Sequence, residues 1–211
     1  MKIFCIGRNY AAHLVEQHDS VGSAIEQPQD LIWFMKPDTA LLRNNDPFYI
    51  PEFSHEIEYE CELVVKINRL GKCISPKFAH RYYDEVGLGI DFTARDLQRR
   101  VIAEGLPWEA TKAFDHSAAL SPEFISLETL GKDIQNLNFA LSLNGTTRQK
   151  ANTSQMLFTV DQIIARLSQF VTLKIGDLIY TGTPAGVGRV EEGDRLEAQL
   201  EGHKLLDFEI R

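Results

Sequence analysis

Residues 55–65 read His55-Glu56-Ile57-Glu58-Tyr59-Glu60-Cys61-Glu62-Leu63-Val64-Val65, with acid and apolar side chains in alternation up to Leu63. A strand sends successive side chains to opposite faces. Glu56, Glu58, Glu60 and Glu62 therefore share one face, and Ile57, Tyr59, Cys61, Leu63 and Val65 share the other. Glutamate is a poor strand former, and like charges side by side repel. Such a row has two settings open to it: a face bathed in water, or a face turned onto a cation. Asp91 bears on the choice because it closes the apolar stretch Val86-Gly87-Leu88-Gly89-Ile90, and a charged aspartate is rarely fully buried without a partner. Two glutamates two apart on one strand, with an aspartate from a second strand, make an all-oxygen triad. That donor set suits a hard ion such as Mg²⁺, Mn²⁺ or Ca²⁺ rather than zinc.

The rest of the chain supplies strands, hairpins and few helices. Short strands are expected at Ile3–Ile6, Ile32–Met35, Val86–Phe92 and Leu178–Tyr180, and a helix-compatible stretch at Arg8–Val15. Asn144-Gly145 after an alternating run from Leu137 is a strong hairpin signal, and Glu201-Gly202 centres a second hairpin. Ser75-Pro76 is read as the start of a short helix, with Ser75 as its cap. Arg95 to Glu104 reads as a helix with Leu97, Val101 and Ile102 on one side and Gly105 as its stop. Thr159 followed by Gln162 forms a capping box ahead of Ile163, Ile164 and Leu167. Regular βαβ alternation is missing, which argues against a doubly wound sheet. The expectation is a β-rich α+β fold in a single domain spanning 1–211, with no linker or repeat. The polar stretch 17–30, with Gly22 and Pro28, has the composition of a loop, and long loops in compact domains often serve as lids.

Composition excludes several classes of function. The formal net charge is -8 with no run of Lys or Arg, which argues against nucleic-acid binding. The three cysteines, Cys5, Cys61 and Cys73, are odd in number and form no CxxC pair, so neither a disulfide framework nor a zinc site is expected, and a reducing, cytoplasmic setting fits. No stretch approaches the ~20 apolar residues that span a bilayer. Thr181-Gly182-Thr183-Pro184-Ala185-Gly186-Val187-Gly188 superficially resembles a phosphate loop but lacks the GK[ST] ending; its glycines fit close backbone approach instead.

Seven segments, in order, resemble the fumarylacetoacetate hydrolase superfamily, especially its short acylpyruvase, oxaloacetate decarboxylase and 2-hydroxyhepta-2,4-diene-1,7-dioate isomerase-like members. They are IGRNYAAH at 6–13, FMKP at 34–37, YECELVV at 59–65, DFTARDLQ at 91–98, GLPWEATKAFD at 105–115, LNGTTRQ at 143–149 and TGTPAGVG at 181–188. The resemblance implies the fold of that family's C-terminal domain: mixed β-sheets forming a β-roll or barrel, with few short helices. It assigns the metal to Glu60, Glu62 and Asp91, with Mg²⁺ or Mn²⁺ as cofactor and Ca²⁺ as a substitute. It makes His13 and Glu16 a catalytic pair at the start of a mobile lid around 13–30; positions i and i+3 share a helix face, so Glu16 can orient His13. Lys112 becomes the cation beside the substrate. Arg95 and Gln98 become carboxylate binders, Thr183 a donor to substrate, and Arg8 either a ligand contact or a support for the loop. Glu56 and Glu58 fall outside the assignment, and Asp115-His116 is a departure expected at the pocket rim. The implied activity is metal-dependent C–C hydrolysis of an acylpyruvate-type 2,4-dioxo acid through an enolate. Decarboxylation of oxaloacetate, dienoate isomerisation and a non-catalytic metabolite-binding role are the alternatives. The implied partner is a small 2-oxo acid, with no nucleic acid or membrane, in a homodimer.

Overall fold

The computed structural model describes residues 1–21 and 28–211, and the side chains of 17–21 are not described. The fold is β-rich α+β, and the described residues build three sheets. The largest contains β1 (Ile3–Gly7), β2 (Ile32–Lys36), β3 (Leu41–Leu42), β5 (Cys61–Lys66), β6 (Glu85–Asp91), β8 (Ala118–Leu120), β9 (Ile125–Ser126) and β12 (Leu178–Tyr180). The smallest contains β4 (Ile57–Tyr59), β7 (Thr93–Ala94) and β13 (Gly188–Arg189). A four-stranded sheet of β10 (Asn138–Leu143), β11 (Thr146–Asn152), β14 (Arg195–Leu200) and β15 (His203–Glu209) completes the set. β1 pairs in parallel with β12, and β3 with β8; the other ladders are antiparallel.

The helices are α1 (Ala11–Val21), α2 (Arg95–Ala103), α3 (Glu109–Lys112), α4 (Leu127–Leu130) and α5 (Val160–Phe170). α5 opens on the expected capping box, Thr159 accepting from the Gln162 N–H and Gln162 from the Thr159 N–H. Residues 17–21 continue α1 rather than starting a loop; residues 22–27 of the expected lid lie outside the described residues. Ser75 makes no side-chain cap bond, and Pro76–Tyr82 is a 3₁₀ helix. Both hairpin pairs, Asn144-Gly145 and Glu201-Gly202, have positive φ at both residues, as tight hairpin turns require.

The acidic strand occupies the centre. Its pairing with residues 89–95 keeps one register throughout: Glu62 faces Gly89, Cys61 faces Ile90, Glu58 faces Thr93 and Ile57 faces Ala94. Bridging bonds from Asp91 N–H to Glu60 O (2.8 Å) and Arg95 N–H to Glu56 O (2.8 Å) fill the same ladder. The chain changes sheets at Glu60 without slipping register. Ile57, Tyr59, Cys61, Leu63 and Val65 all enter the main apolar core, where the stacked rings of Phe48 and Phe92 lie 3.9 Å apart. Partners opposite each other in a ladder share a face, so this register brings Glu60 and Asp91 side by side, with Glu62 next along.

Candidate active site

Glu56, Glu58, Glu60 and Glu62 all line one cavity of about 620 Å³. Arg8, His13, Glu16, Asp91, Arg95, Gln98, Lys112 and Thr183 line it too. All ten site residues expected from the sequence thus face the same space. Asp115 and His116 do not line it and are exposed; His116 turns outward through a left-handed backbone, φ 63°. The expectation that they shape the pocket rim is not met.

Glu60, Glu62 and Asp91 are buried, and each places a carboxylate oxygen within 4.8 Å of the others. Three cations answer them. Lys112 Nζ donates to Glu60 Oε2 (2.7 Å), Asp91 Oδ2 (2.9 Å) and Thr93 Oγ1 (2.5 Å). Arg95 donates from Nη2 to Glu60 Oε1 and from Nε to Glu58 Oε2, both at 2.6 Å. Lys36, buried behind Asp91, donates to the carbonyls of Lys112 and Ser117 and to Ser117 Oγ. Those bonds use its three N–H groups. It therefore lies 2.8 Å from Asp91 Oδ1 as a charge partner while leaving that oxygen without a hydrogen bond.

The carboxyls respond differently to this field. Burial pushes Glu60 up, but the charges of Lys112, Arg95 and His13 outweigh it and hold Glu60 far below the usual range. Glu62 accepts from the Gly182 N–H (2.7 Å); burial, then the charges of Asp91 and Glu60, push it well above that range. Burial pulls Lys112 down, yet Asp91 and Glu60 prevail and it is pushed up to about 12. An orphaned buried oxygen on Asp91, a Glu62 crowded by like charges and an all-oxygen donor set together fit a hard divalent cation.

His13 and Glu16 sit one turn apart on α1, with His13 Nδ1 2.9 Å from Glu16 Oε2. Glu16 Oε1 accepts from the Gly186 N–H (2.9 Å), tying α1 to the 181–188 loop. Burial raises Glu16, but the bonds from His13 and Gly186 outweigh it and hold its carboxyl below the ordinary value. Asn9 fixes the start of α1: its amide donates to Thr181 O (2.8 Å) and Phe158 O (3.1 Å), and its oxygen accepts from the Phe158 N–H (2.8 Å). Gly186 has φ 98°, and a Cβ there would stand 2.1 Å from Arg148 O; only glycine fits.

α2 turns Arg95, Gln98, Arg99 and Ile102 toward the cavity. Ile102 is accordingly half exposed rather than a core position beside Leu97. Glu56 holds Arg99, and Glu58 holds Arg95, which gives the two unassigned glutamates a place: they anchor α2 to the ladder. Arg95 Nη1 also donates to Gln98 Oε1 (2.5 Å), so both expected carboxylate binders are turned toward protein groups. Thr183 donates its hydroxyl hydrogen to Cys61 O (2.9 Å) and accepts from Gln149 Nε2 (2.8 Å); that hydrogen is engaged within the protein instead of facing a ligand. Lys36 and Gln149 lie in motifs that the sequence singled out, yet their partners are 81 and 34 residues away, beyond any local pattern.

Comparison with known proteins agrees with this geometry. The family described as fumarylacetoacetate (FAA) hydrolase C-terminal matches residues 2–210. Oxaloacetate tautomerase YcgM of Escherichia coli (strain K12) is 38% identical over 204 residues, covering 97% of this chain and 90% of that protein. The mitochondrial oxaloacetate tautomerase FAHD1 of Rattus norvegicus is 37% identical over 208 residues, covering 99% and 90%. Among solved structures, fumarylpyruvate hydrolase from Pseudomonas aeruginosa in complex with Mn²⁺ and pyruvate is similar with a TM-score of 0.90 at 32% identity, covering 100% of this chain and 89% of that one.

Proposed function

The chain belongs to the fumarylacetoacetate hydrolase family, and from that membership we propose that it is a metal-dependent enzyme interconverting keto and enol forms of a small, oxaloacetate-like 2-oxo acid. The observation that carries the reading is a base pair, His13–Glu16, on the same cavity as a buried carboxylate triad and a buried ammonium. Glu60, Glu62 and Asp91 would hold Mg²⁺ or Mn²⁺. When bound, the ion supplies a Lewis acid and a template for the acid's carboxylate and 2-oxo oxygens.

The chain's own residues do the rest. Glu16 fixes the orientation of the His13 ring, and His13 takes the proton from the carbon beside the 2-oxo group. The negative charge that develops on the 2-oxo oxygen is offset by the Lys112 ammonium. Return of the proton to oxygen gives the enol; the reverse gives the ketone. Relatives named oxaloacetate tautomerase support this assignment.

A second reading, C–C hydrolysis of an acylpyruvate, is favoured by the likeness to fumarylpyruvate hydrolase. There His13 would activate water against the distal carbonyl, and the same ammonium would offset the charge on the leaving pyruvate. Both readings carry the remaining expectations: one catalytic domain with α1 at the base of a lid, a homodimer, and a cytoplasmic site of action.

Purified protein is tested with oxaloacetate enol and with acetylpyruvate, each with Mg²⁺, Mn²⁺ or EDTA. Metal-dependent loss of the enol absorbance without cleavage supports the tautomerase. Cleavage of acetylpyruvate at a comparable kcat/KM moves the assignment to the hydrolase, and turnover of neither sinks both.

A further inference from the structure

The cations on the cavity wall are not equivalent. Lys112 is bound to Glu60 and Asp91, Arg95 to Glu58 and Glu60, and Arg99 to Glu56. Arg8 lines the same cavity, is half-buried, and has no ion pair or side-chain hydrogen bond among the described residues. Its backbone is in the left-handed region, φ 59°. That conformation costs an ordinary residue about 1–2 kcal/mol, and here it is retained where the chain turns from β1 into α1 along the cavity.

Position adds to this. The Lys112 ammonium stands 5.3 Å from the centre of the Phe34 ring, and Phe34 packs on Trp108 with centroids 6.0 Å apart. A Cβ on Gly7, the neighbour of Arg8, would lie 3.8 Å from Trp108 Cζ3. The wall therefore runs from the triad across two aromatic rings to the segment that carries Arg8. A 2-oxo acid whose head lies at the triad would have its carbon skeleton on that wall and its far end toward Arg8. An unpaired, partly desolvated guanidinium gains most from a carboxylate, which it can take in a two-pronged bond.

We propose that Arg8 receives the distal carboxylate of the substrate, so that the site selects dicarboxylic 2-oxo acids over counterparts ending in a methyl ketone. The inference rests on the 2-oxo acid site proposed above and adds what that reading leaves open, the chemistry at the far end. Arg95, also expected to bind a carboxylate, differs from Arg8 in being held on Glu58 and Glu60.

Oxaloacetate and acetylpyruvate share length and head group and differ at the distal end, so they form the test pair. Binding to Mn²⁺-loaded protein is measured by calorimetry in a His13→Ala background, with and without Arg8→Met and Arg8→Lys, and KM is measured in the His13-containing proteins. Arg8→Met is expected to weaken oxaloacetate about 10- to 100-fold, the loss of a charge-assisted hydrogen-bonded pair. Acetylpyruvate should change less than about threefold on the same scale, and Arg8→Lys should keep part of the oxaloacetate preference. Equal effects on the two ligands, or none, overturn the assignment of Arg8 while leaving the site standing. Failure of both ligands to bind the protein that retains Arg8 overturns the 2-oxo acid site, and this inference with it.

Discussion

Replacing His13 with alanine removes one base and leaves every carboxylate of the triad in place. The expected result is a fall in kcat of about 10²- to 10⁴-fold, the usual worth of a positioned acid–base group, with metal affinity changed little. Stopped-flow turnover and a metal titration on the same protein check the two halves. Glu16 carries a pH signature. Its folded carboxyl titrates below the ordinary 4.5 because the bonds from His13 and Gly186 outweigh burial. A depressed folded value stabilises the fold above the unfolded value, and that contribution is lost as pH falls through the folded one. The Tm advantage of the natural protein over Glu16→Gln is therefore expected at pH 6 to 7 and should shrink steadily below about 4.5. A gap that widens in acid would contradict this. What the sequence made visible at this scale was residue type and spacing, as for His13 and Glu16 one helical turn apart. It did not show where a hydrogen goes: the Thr183 hydroxyl is directed to Cys61 O, 122 residues away, and no local pattern encodes that.

Two elements hold the site together, the acidic ladder and the 181–188 loop. The period-two alternation at 55–65 made the ladder legible, because one core face demands one register. The change of sheet at Glu60 was not legible, since it depends on which strands dock on each half. Nor was α3, whose four residues are too short to show a helical period. The anchoring of α2 by Glu58 is testable. Glu58→Gln should destabilise the protein by about 1–3 kcal/mol, since Arg95 loses one of two carboxylates in a partly buried setting. A double-mutant cycle with Arg95→Met should show coupling, and strictly additive losses in urea unfolding would contradict the pairing. Gly186→Ala should cost about 1–3 kcal/mol or more from backbone strain alone. It should also lower kcat, because the N–H that holds Glu16 moves with the loop; unchanged stability and turnover would show the loop to be tolerant.

At the scale of the molecule, the fold places, among the described residues, six carboxylates and three of the cations that answer them around one cavity, with a fourth, Lys36, behind Asp91. Glu62, crowded by Asp91 and Glu60, and the unbonded Oδ1 of Asp91 are the features that a divalent cation would satisfy. A bound ion that ignores the unfolded chain stabilises the fold by about 2.7 kcal/mol at a concentration of 100 times its Kd, so the Tm should rise with Mg²⁺ or Mn²⁺ and return with EDTA. The most direct measurement is a calorimetric titration of Mn²⁺ into the natural protein, Glu60→Ala and Asp91→Ala. One ion per chain is expected in the first and none at the same concentrations in the two variants. Binding that persists in both variants, or is absent from the natural protein, would contradict it.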